Sequence, residues 1–358
     1  MHSCEQTSWL SDEAFLRDFS KKVFEQKVPL SGSIDLTDSC NLRCSHCYIS
    51  DGRERKTIEM NTSTICKIID EITESGCLHL LLTGGEPLLR KDFREIYVHA
   101  KMRGLLVSVF SNGTLVDIAI ADLLKSYPPA SVEISLYGSS QKVYESITGI
   151  AGSFRRCIQG IELLVSSSIN VKLKTVLMSL NADDLFEIRR TAGRFGAPFR
   201  LDPAIFPRLN GDQGPMDLRI SPRTAVEMEF SDPARIDQWR KHYNKFKGLR
   251  PSKNLYSCGA GSTNFHIDAS GNLKPCLMTR HISYDLNRGS FSAGWQSISS
   301  QIKGKLADPG SDCTSCNKRS LCGICPGFAE LETGSESERS KYLCDLGSHR
   351  FQLINNEL

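Results

Sequence analysis

Cys40, Cys44 and Cys47 stand at CxxxCxxC spacing in Cys40-Asn41-Leu42-Arg43-Cys44-Ser45-His46-Cys47, just past the apolar-leaning run Ser33 to Asp38. A short loop leaving a strand can turn three such thiolates toward one face of an iron–sulfur cubane. A cubane normally takes four cysteine ligands, so a trio leaves one iron open, as catalytic metal sites keep a position open. By itself the spacing is equally compatible with half of a zinc site or with three unrelated thiols.

A second stretch, Leu80-Leu81-Leu82-Thr83-Gly84-Gly85-Glu86-Pro87, reads as a strand ending in two glycines and a Glu-Pro. Glycines let a backbone come close to a ligand, and Glu86 can stabilise the turn or a ligand's ammonium. The two motifs in this order resemble the radical S-adenosylmethionine (SAM) superfamily. Its signature is a CxxxCxΦC loop, with Φ usually aromatic and here His46, followed by a GGEP strand end. The resemblance implies that SAM chelates the open iron of a [4Fe-4S] cluster through its methionyl amine and carboxylate. Reduction by a flavodoxin- or ferredoxin-type donor then yields a 5′-deoxyadenosyl radical. It also implies cofactor contacts from His46, Gly84, Gly85 and Glu86, from Ser111 and Asn112, from Ser135, and from Leu177 packed on the adenine. Family members often carry an arginine around Ser146-Ile147-Thr148-Gly149 to hold the SAM carboxylate. Thr148 stands there instead, which leaves that partner unnamed.

Cysteines return at Cys258, Cys276, Cys313, Cys316, Cys322, Cys325 and Cys344. The first two bracket a hairpin with arms at 265–267 and 273–275 and Gly271 in its turn. The set resembles the SPASM extension of radical SAM enzymes, which carries two auxiliary [4Fe-4S] clusters. That family has three residues between its last clustered pair, whereas Cys322 and Cys325 are separated by Gly323 and Ile324 alone. Carried over, Cys258, Cys276 and Cys325 hold the nearer cluster, and Cys313, Cys316, Cys322 and Cys344 the farther one. The nearer cluster then keeps an open iron or borrows a ligand. From the cysteine pairs alone, two structural zinc sites are the alternative. Cys4, Cys66, Cys77 and Cys157 read as small hydrophobes without chemistry, and His266 and His281 as structural.

These motifs need elements to position them. Strand candidates at roughly 32–38, 78–84, 105–111, 131–137, 170–178 and 199–206 alternate with helical patterns over 61–74, 91–103, 115–126, 153–168 and 181–195. Strict alternation argues for an α/β chain with parallel strands. It matches the partial (β/α)6 TIM-like barrel that the resemblance implies, with the site at the C-terminal strand ends. The expected organisation is a helix-leaning lead-in over 1–30, the barrel over 31–207, an irregular linker over 208–257, the SPASM domain over 258–348 and a tail over 349–358. The polar run Gly334 to Arg339 reads as an exposed loop.

The chain has 358 residues, a net charge of +3 and fourteen cysteines. Near-neutral charge implies no nucleic-acid partner, no run suits a membrane span, and no signal peptide opens the chain. Without one, metal ligation accounts for the cysteines better than disulfides do, and a cytoplasmic, oxygen-sensitive protein is expected. SPASM enzymes as a group modify ribosomally made peptides. The expected function is therefore a radical SAM maturase that oxidises a precursor peptide, forming a C–C or C–S cross-link or a related side-chain or backbone change. Asp202, before Pro203 at the end of the sixth strand, is the candidate general base, although an Asp-Pro pair also shapes loops. A lead-in of this length is too short to bind a leader peptide, so a separate leader-binding protein or the SPASM face is expected to deliver the substrate. Rival readings are a sulfatase-type maturase, disfavoured because Leu277 rather than an Asp follows Cys276, a tetrapyrrole side-chain enzyme, and a non-catalytic Fe–S or zinc scaffold.

Overall fold

A computed structural model describes residues 11–49, 58–248 and 252–355. The strands are β1 (Ser31–Asp35), β2 (His79–Thr83), β3 (Leu106–Ser111), β4 (Ser131–Ser135), β5 (Val171–Val176), β6 (Phe199–Asp202), β7 (Asn264–Ile267), β8 (Asn272–Lys274) and β9 (Tyr284–Asp285). The helices of the first half are α1 (Asp12–Gln26), α2 (Thr62–Glu74), α3 (Phe93–Met102), α4 (Ile118–Ser126), α5 (Gln141–Thr148), α6 (Ser153–Ser166) and α7 (Leu185–Arg194). Then follow α8 (Pro222–Glu229), α9 (Pro233–Phe246), α10 (Phe291–Lys303), α11 (Asp312–Ser315), α12 (Arg319–Cys322), α13 (Pro326–Thr333) and α14 (Lys341–Ile354). Among the described residues no helix is long and apolar enough to cross a membrane.

All nine strands form one sheet in the order β6-β5-β4-β3-β2-β1-β7-β8-β9. The first six are parallel and sequential, as in a partial (β/α)6 barrel. Their helix-facing residues are apolar, including Leu80, Leu82, Val107, Val109, Val132, Ile134 and Leu173, and they pack under Ile65, Ile69 and Ile72 of α2, Ile96 of α3 and Ile161 of α6. Burying each such side chain stabilises the fold by roughly 1.5–3 kcal/mol. Side-chain caps start the helices: Asn61 accepts from the Thr64 amide and Asp117 from the Ile120 amide.

The boundary expected at residue 258 does not separate two sheets. Strand β7 runs parallel to β1, in register Ser31↔Asn264 to Ile34↔Ile267. Gly32 makes this approach possible, because a Cβ there would fall 2.1 Å from the Phe265 ring. His266 bridges Ser33 Oγ at 2.9 Å and Asp35 Oδ2 at 3.3 Å, a structural role as expected. Phe265, Phe291 and Trp295 stack beneath, and the Trp295 indole donates to the Lys27 carbonyl at 2.7 Å.

Nor are residues 208–257 an irregular bridge throughout. Helices α8 and α9 lie there, and α8 buries Ala225, Val226 and Glu229 against α14. The sequence shows a basic helical piece at Gln238 to Lys247 that reads as a solvated face, and it is the later part of α9, which has no buried residue; no sequence pattern marks α8. Glu229 is the hub of this layer. Its carboxylate accepts from Arg350 Nε at 2.9 Å, Arg235 Nη2 at 3.0 Å and Trp239 Nε1 at 2.9 Å. Removing one partner of a buried ion pair strands the other charge and costs about 3–5 kcal/mol. Glu229→Ala is therefore expected to lower unfolding free energy by about that amount in urea titrations, and Glu229→Met with Arg350→Met by clearly less. Equal losses would show that the pair itself stabilises the layer.

Candidate active site

The loop carrying Cys40, Cys44 and Cys47 leaves β1 and has no regular secondary structure between Leu36 and Ile49. Other segments hold it. The Gly85 amide donates to the Thr37 carbonyl at 2.7 Å and the Glu86 amide to the Ser39 carbonyl at 2.8 Å. Gly84 has φ +126°, and a Cβ on it would lie 2.3 Å from Thr37 O; one on Gly85 would lie 2.3 Å from Ser39 O. The two glycines thus let the turn after β2 touch the stem of the cysteine loop, and both also line the cavity beyond it. On the other side, Arg43 N donates to Thr148 O at 2.8 Å and Ser45 N to Ile147 O at 3.0 Å. Thr148 is fully buried and its hydroxyl pairs with Ser153, so it clamps the loop and faces no ligand.

A third anchor comes from the end of β3. Asn112 Nδ2 donates to Asn41 Oδ1 at 2.9 Å and reaches Cys40 Sγ at 3.8 Å, while its Oδ1 accepts from Thr114 N and Oγ1. Glu86 lies beneath. It is fully buried and accepts from Ser111 Oγ at 2.8 Å, Asn112 N at 2.7 Å and Leu88 N at 3.2 Å. Burial, opposed by these bonds, pushes its carboxyl up to about 7.

The three thiols gather at one wall of a cavity of about 320 Å³. Burial, with Cys47 and Cys40 nearby, raises the Cys44 pKa well above its usual value. Three thiolates lining one wall would repel one another without a cation between them, and the Leu42 amide donates to Cys40 Sγ at 3.4 Å. This donor set fits an iron–sulfur cluster with three protein ligands. His46 also lines the cavity, edge-on to Tyr137 with ring centroids 4.5 Å apart. Burial lowers its pKa to about 4, so the ring is neutral. Ser111, Asn112, Ser135 and Asp202 line the same space. Asp202 Oδ1 accepts from Ala204 N at 3.1 Å, and burial raises its pKa.

Two expected cofactor contacts fall elsewhere. Leu177 packs with Leu185 and Val226 in the cluster behind the sheet, and Val176 takes the cavity-facing place. The reason is the two-residue alternation itself: Lys172, Lys174 and Val176 share one face of β5, so Leu177 falls on the other with Leu173 and Thr175, before Asn181 caps the turn through Met178 N. Glu86 is absent from the cavity wall because its oxygens are committed to the β3 end. Residues the patterning passed over face the cavity instead: Tyr137, Lys174, Arg200, Phe206, Leu277 and Met278. The inward Lys174 was legible in the alternation Val171-Lys172-Leu173-Lys174, where lysines share one face of a buried strand.

The seven C-terminal cysteines fall into two groups. Cys258, Cys276 and Cys325 face one another closely enough that Cys276 and Cys258 help burial push Cys325 to about 11. Cys313, Cys316 and Cys344 surround Cys322, which burial with their help also raises to about 11. Cys77 and Cys157 are buried and Cys66 partly so, as small hydrophobes; Cys4 lies outside the described residues. His281 is held between Glu330 and Glu336, at 3.0 and 3.1 Å. Glu336 also meets Tyr256 and Lys305, so the run Gly334 to Arg339 is tied down at that residue.

Glu86→Ala would leave the buried Asn112 amide without an acceptor, at about 1–3 kcal/mol, and the half-buried Leu88 amide without one at less cost. The variant is expected to melt at lower temperature and to load less iron on its first cysteine trio, read by iron analysis after anaerobic reconstitution. Unchanged iron content would refute the role of Glu86 in holding the loop.

Comparisons with known proteins agree with this geometry. Residues 34–192 match the model of the Radical SAM superfamily. The chain is 24% identical over 330 residues to the AdoMet-dependent heme synthase of Methanosarcina barkeri, covering 86% of this chain and 94% of that protein. It is 28% identical over 309 residues to the mycofactocin maturase MftC of Mycolicibacterium smegmatis, covering 82% and 77%. It is 30% identical over 268 residues to a probable GTP 3',8-cyclase of Pyrococcus abyssi, covering 71% and 86%. Among solved structures, Streptococcus suis SuiB bound to its precursor peptide SuiA superposes with a TM-score of 0.72 at 14% identity, over 96% of this chain and 84% of that one. With a three-cysteine loop clamped at the strand ends of a parallel barrel, and a relative this similar over most of its length, the chain is an enzyme of the radical SAM superfamily.

Proposed function

We propose that the enzyme oxidises a ribosomally made precursor peptide held in the cavity between the first cysteine trio and the C-terminal cysteines. One observation carries this reading. Leu277 and Met278, the two residues after Cys276, line the same cavity as Cys40, Cys44 and Cys47. A substrate there lies between two sets of thiols, which suits abstraction of hydrogen at one end and withdrawal of an electron at the other. The maturase MftC and the peptide-bound SuiB support a peptide as that substrate.

The proposed cofactor set is SAM with a [4Fe-4S] cluster on Cys40, Cys44 and Cys47, and two auxiliary clusters. Cys258, Cys276 and Cys325 would hold the nearer, and Cys313, Cys316, Cys322 and Cys344 the farther. When bound, this set supplies a 5′-deoxyadenosyl radical by one-electron reduction and an acceptor for the electron left on the substrate. The C-terminal thiols have donors suited to cluster sulfur: Phe328 N lies 3.4 Å from Cys325 Sγ, and Thr279 Oγ1 lies 3.3 Å from Cys276 Sγ. The chain's own part is to bind, orient and deprotonate. His46, Tyr137, Phe206 and Met278 exclude water from the cavity, and Asp202 takes the proton that oxidation releases. Net loss is two hydrogens from the peptide. A separate leader-binding protein and a flavodoxin- or ferredoxin-type donor complete the proposed system.

Anaerobic reconstitution with SAM, reductant and neighbouring small peptides tests the reading. Expected are roughly twelve irons per chain, 5′-deoxyadenosine, and a peptide lighter by about two mass units, one hydrogen leaving as an atom and one as a proton. Cys40→Ala, Cys44→Ala and Cys47→Ala should each abolish all turnover. An unchanged peptide mass with deoxyadenosine formed would sink the oxidation. The heme synthase relative favours a second reading, a tetrapyrrole substrate, for which a porphyrin would shift its absorption bands on binding the reconstituted enzyme.

A hydrogen bond to a cluster thiolate stabilises the reduced state. Thr279→Val is therefore expected to move the midpoint potential of the nearer auxiliary cluster to more negative values, read by EPR-monitored redox titration, with iron content unchanged. An unmoved potential would show that Thr279 makes no such bond.

A further inference from the structure

The floor of the cavity holds a cation that the fold leaves without an acceptor. Lys174 lies on β5, opposite Ser135 of β4 and Arg200 of β6. Its ammonium rests 3.2 Å from the centroid of the Phe110 ring. Among the described residues, no carboxylate, carbonyl or hydroxyl lies within hydrogen-bonding reach of it. Phe110 pairs with Glu133, two residues before Ser135, so the side chain leans back along the barrel, away from the cysteine loop that follows β1. On the proposed cofactor set, the methionyl end of SAM would lie at that loop, and Lys174 would address whatever else occupies the cavity.

Its charged neighbours act on it only through space. Glu133 and Asp202 favour its protonated form without bonding to it, and Glu133 Oε2 lies 3.7 Å from the largely exposed Arg200. Asp202 already accepts from Ala204 N, and burial raises its pKa. Burial, opposed by the nearby Glu133 charge, pushes the lysine down to about 7. A ring face attracts a cation but supplies no lone pair for its three N–H groups, and a buried ammonium is stable when an oxyanion meets it.

We propose that Lys174 is a carboxylate-binding subsite that anchors the substrate by an acidic group, such as a peptide glutamate side chain, with the target carbon facing the cysteine loop. The proposal rests on the peptide-oxidation reading only in taking this cavity as the substrate's place; a propionate-bearing tetrapyrrole would use the same chemistry. Charge-assisted hydrogen bonds contribute about 1.5–3 kcal/mol, so loss of the anchor weakens binding about tenfold or more.

The probes are N-acetylglutamate α-amide and N-acetylglutamine α-amide, dialysed to equilibrium against the reconstituted enzyme with SAM present. Wild type is expected to favour the acid over the amide by about tenfold. Lys174→Met should abolish that preference with iron content and melting temperature unchanged, and Lys174→Arg should retain part of it. Equal binding of the two probes by wild type, or a preference that survives in Lys174→Met, overturns the proposal. SAM affinity measured on the same variants separates the two carboxylate sources. If Lys174→Met weakens SAM tenfold while the probes bind equally, the carboxylate is SAM's own and the substrate anchor is refuted. None of these readouts needs turnover, so the peptide-oxidation reading stands or falls separately on product mass.

Discussion

The cysteine loop is held in place by other segments' hydrogen bonds. Between Leu36 and Ile49 no helix or strand forms, yet three thiols must converge there. Amides from Gly85 and Glu86, carbonyls of Ile147 and Thr148, and the Asn112 side chain fix it from three directions. Each contact arises at the C-terminal end of a barrel strand or in the helix that follows one. Stable parallel strands therefore come first, and the cluster-binding geometry follows from their register.

This division explains what the sequence could tell. All six barrel strands were visible, because each is a short apolar run between turn residues and its neighbours in space are its neighbours in sequence. The cysteine trio and the GGEP turn were legible from spacing alone. What the glycines accommodate was not: Gly84 and Gly85 admit Thr37 and Ser39 as well as bordering the cavity, and a contact between distant backbones leaves no trace in a local pattern. Leu177 was carried over from the resemblance, whereas the alternation of β5 puts Val176 on the cavity side and Leu177 behind the sheet. Helix α8 escaped because its partner, α14, lies more than a hundred residues downstream: Glu229 and Arg350 are 121 positions apart.

The cavity joins the two halves of the chain. Its ceiling is the first cysteine loop, its floor comes from β3, β5 and β6, and one side is closed by Leu277 and Met278 behind the β7–β8 hairpin. Most of that lining is apolar, with polar groups such as Ser111, Asn112, Ser135, Lys174 and Asp202 set among it, the composition expected where a ligand must be both buried and oriented.

Strand β7 sits against β1 although Ser31 and Asn264 are 233 positions apart. During synthesis the outer edge of β1 stays bare until β7, 233 residues further along, has been made, and a bare parallel edge invites pairing with other chains. A fragment ending before the hairpin would keep that edge for good, so the C-terminal segment is a lid on the nascent sheet as well as a holder of cysteines. Swapping this segment between relatives would then have to preserve strand register as well as metal ligands.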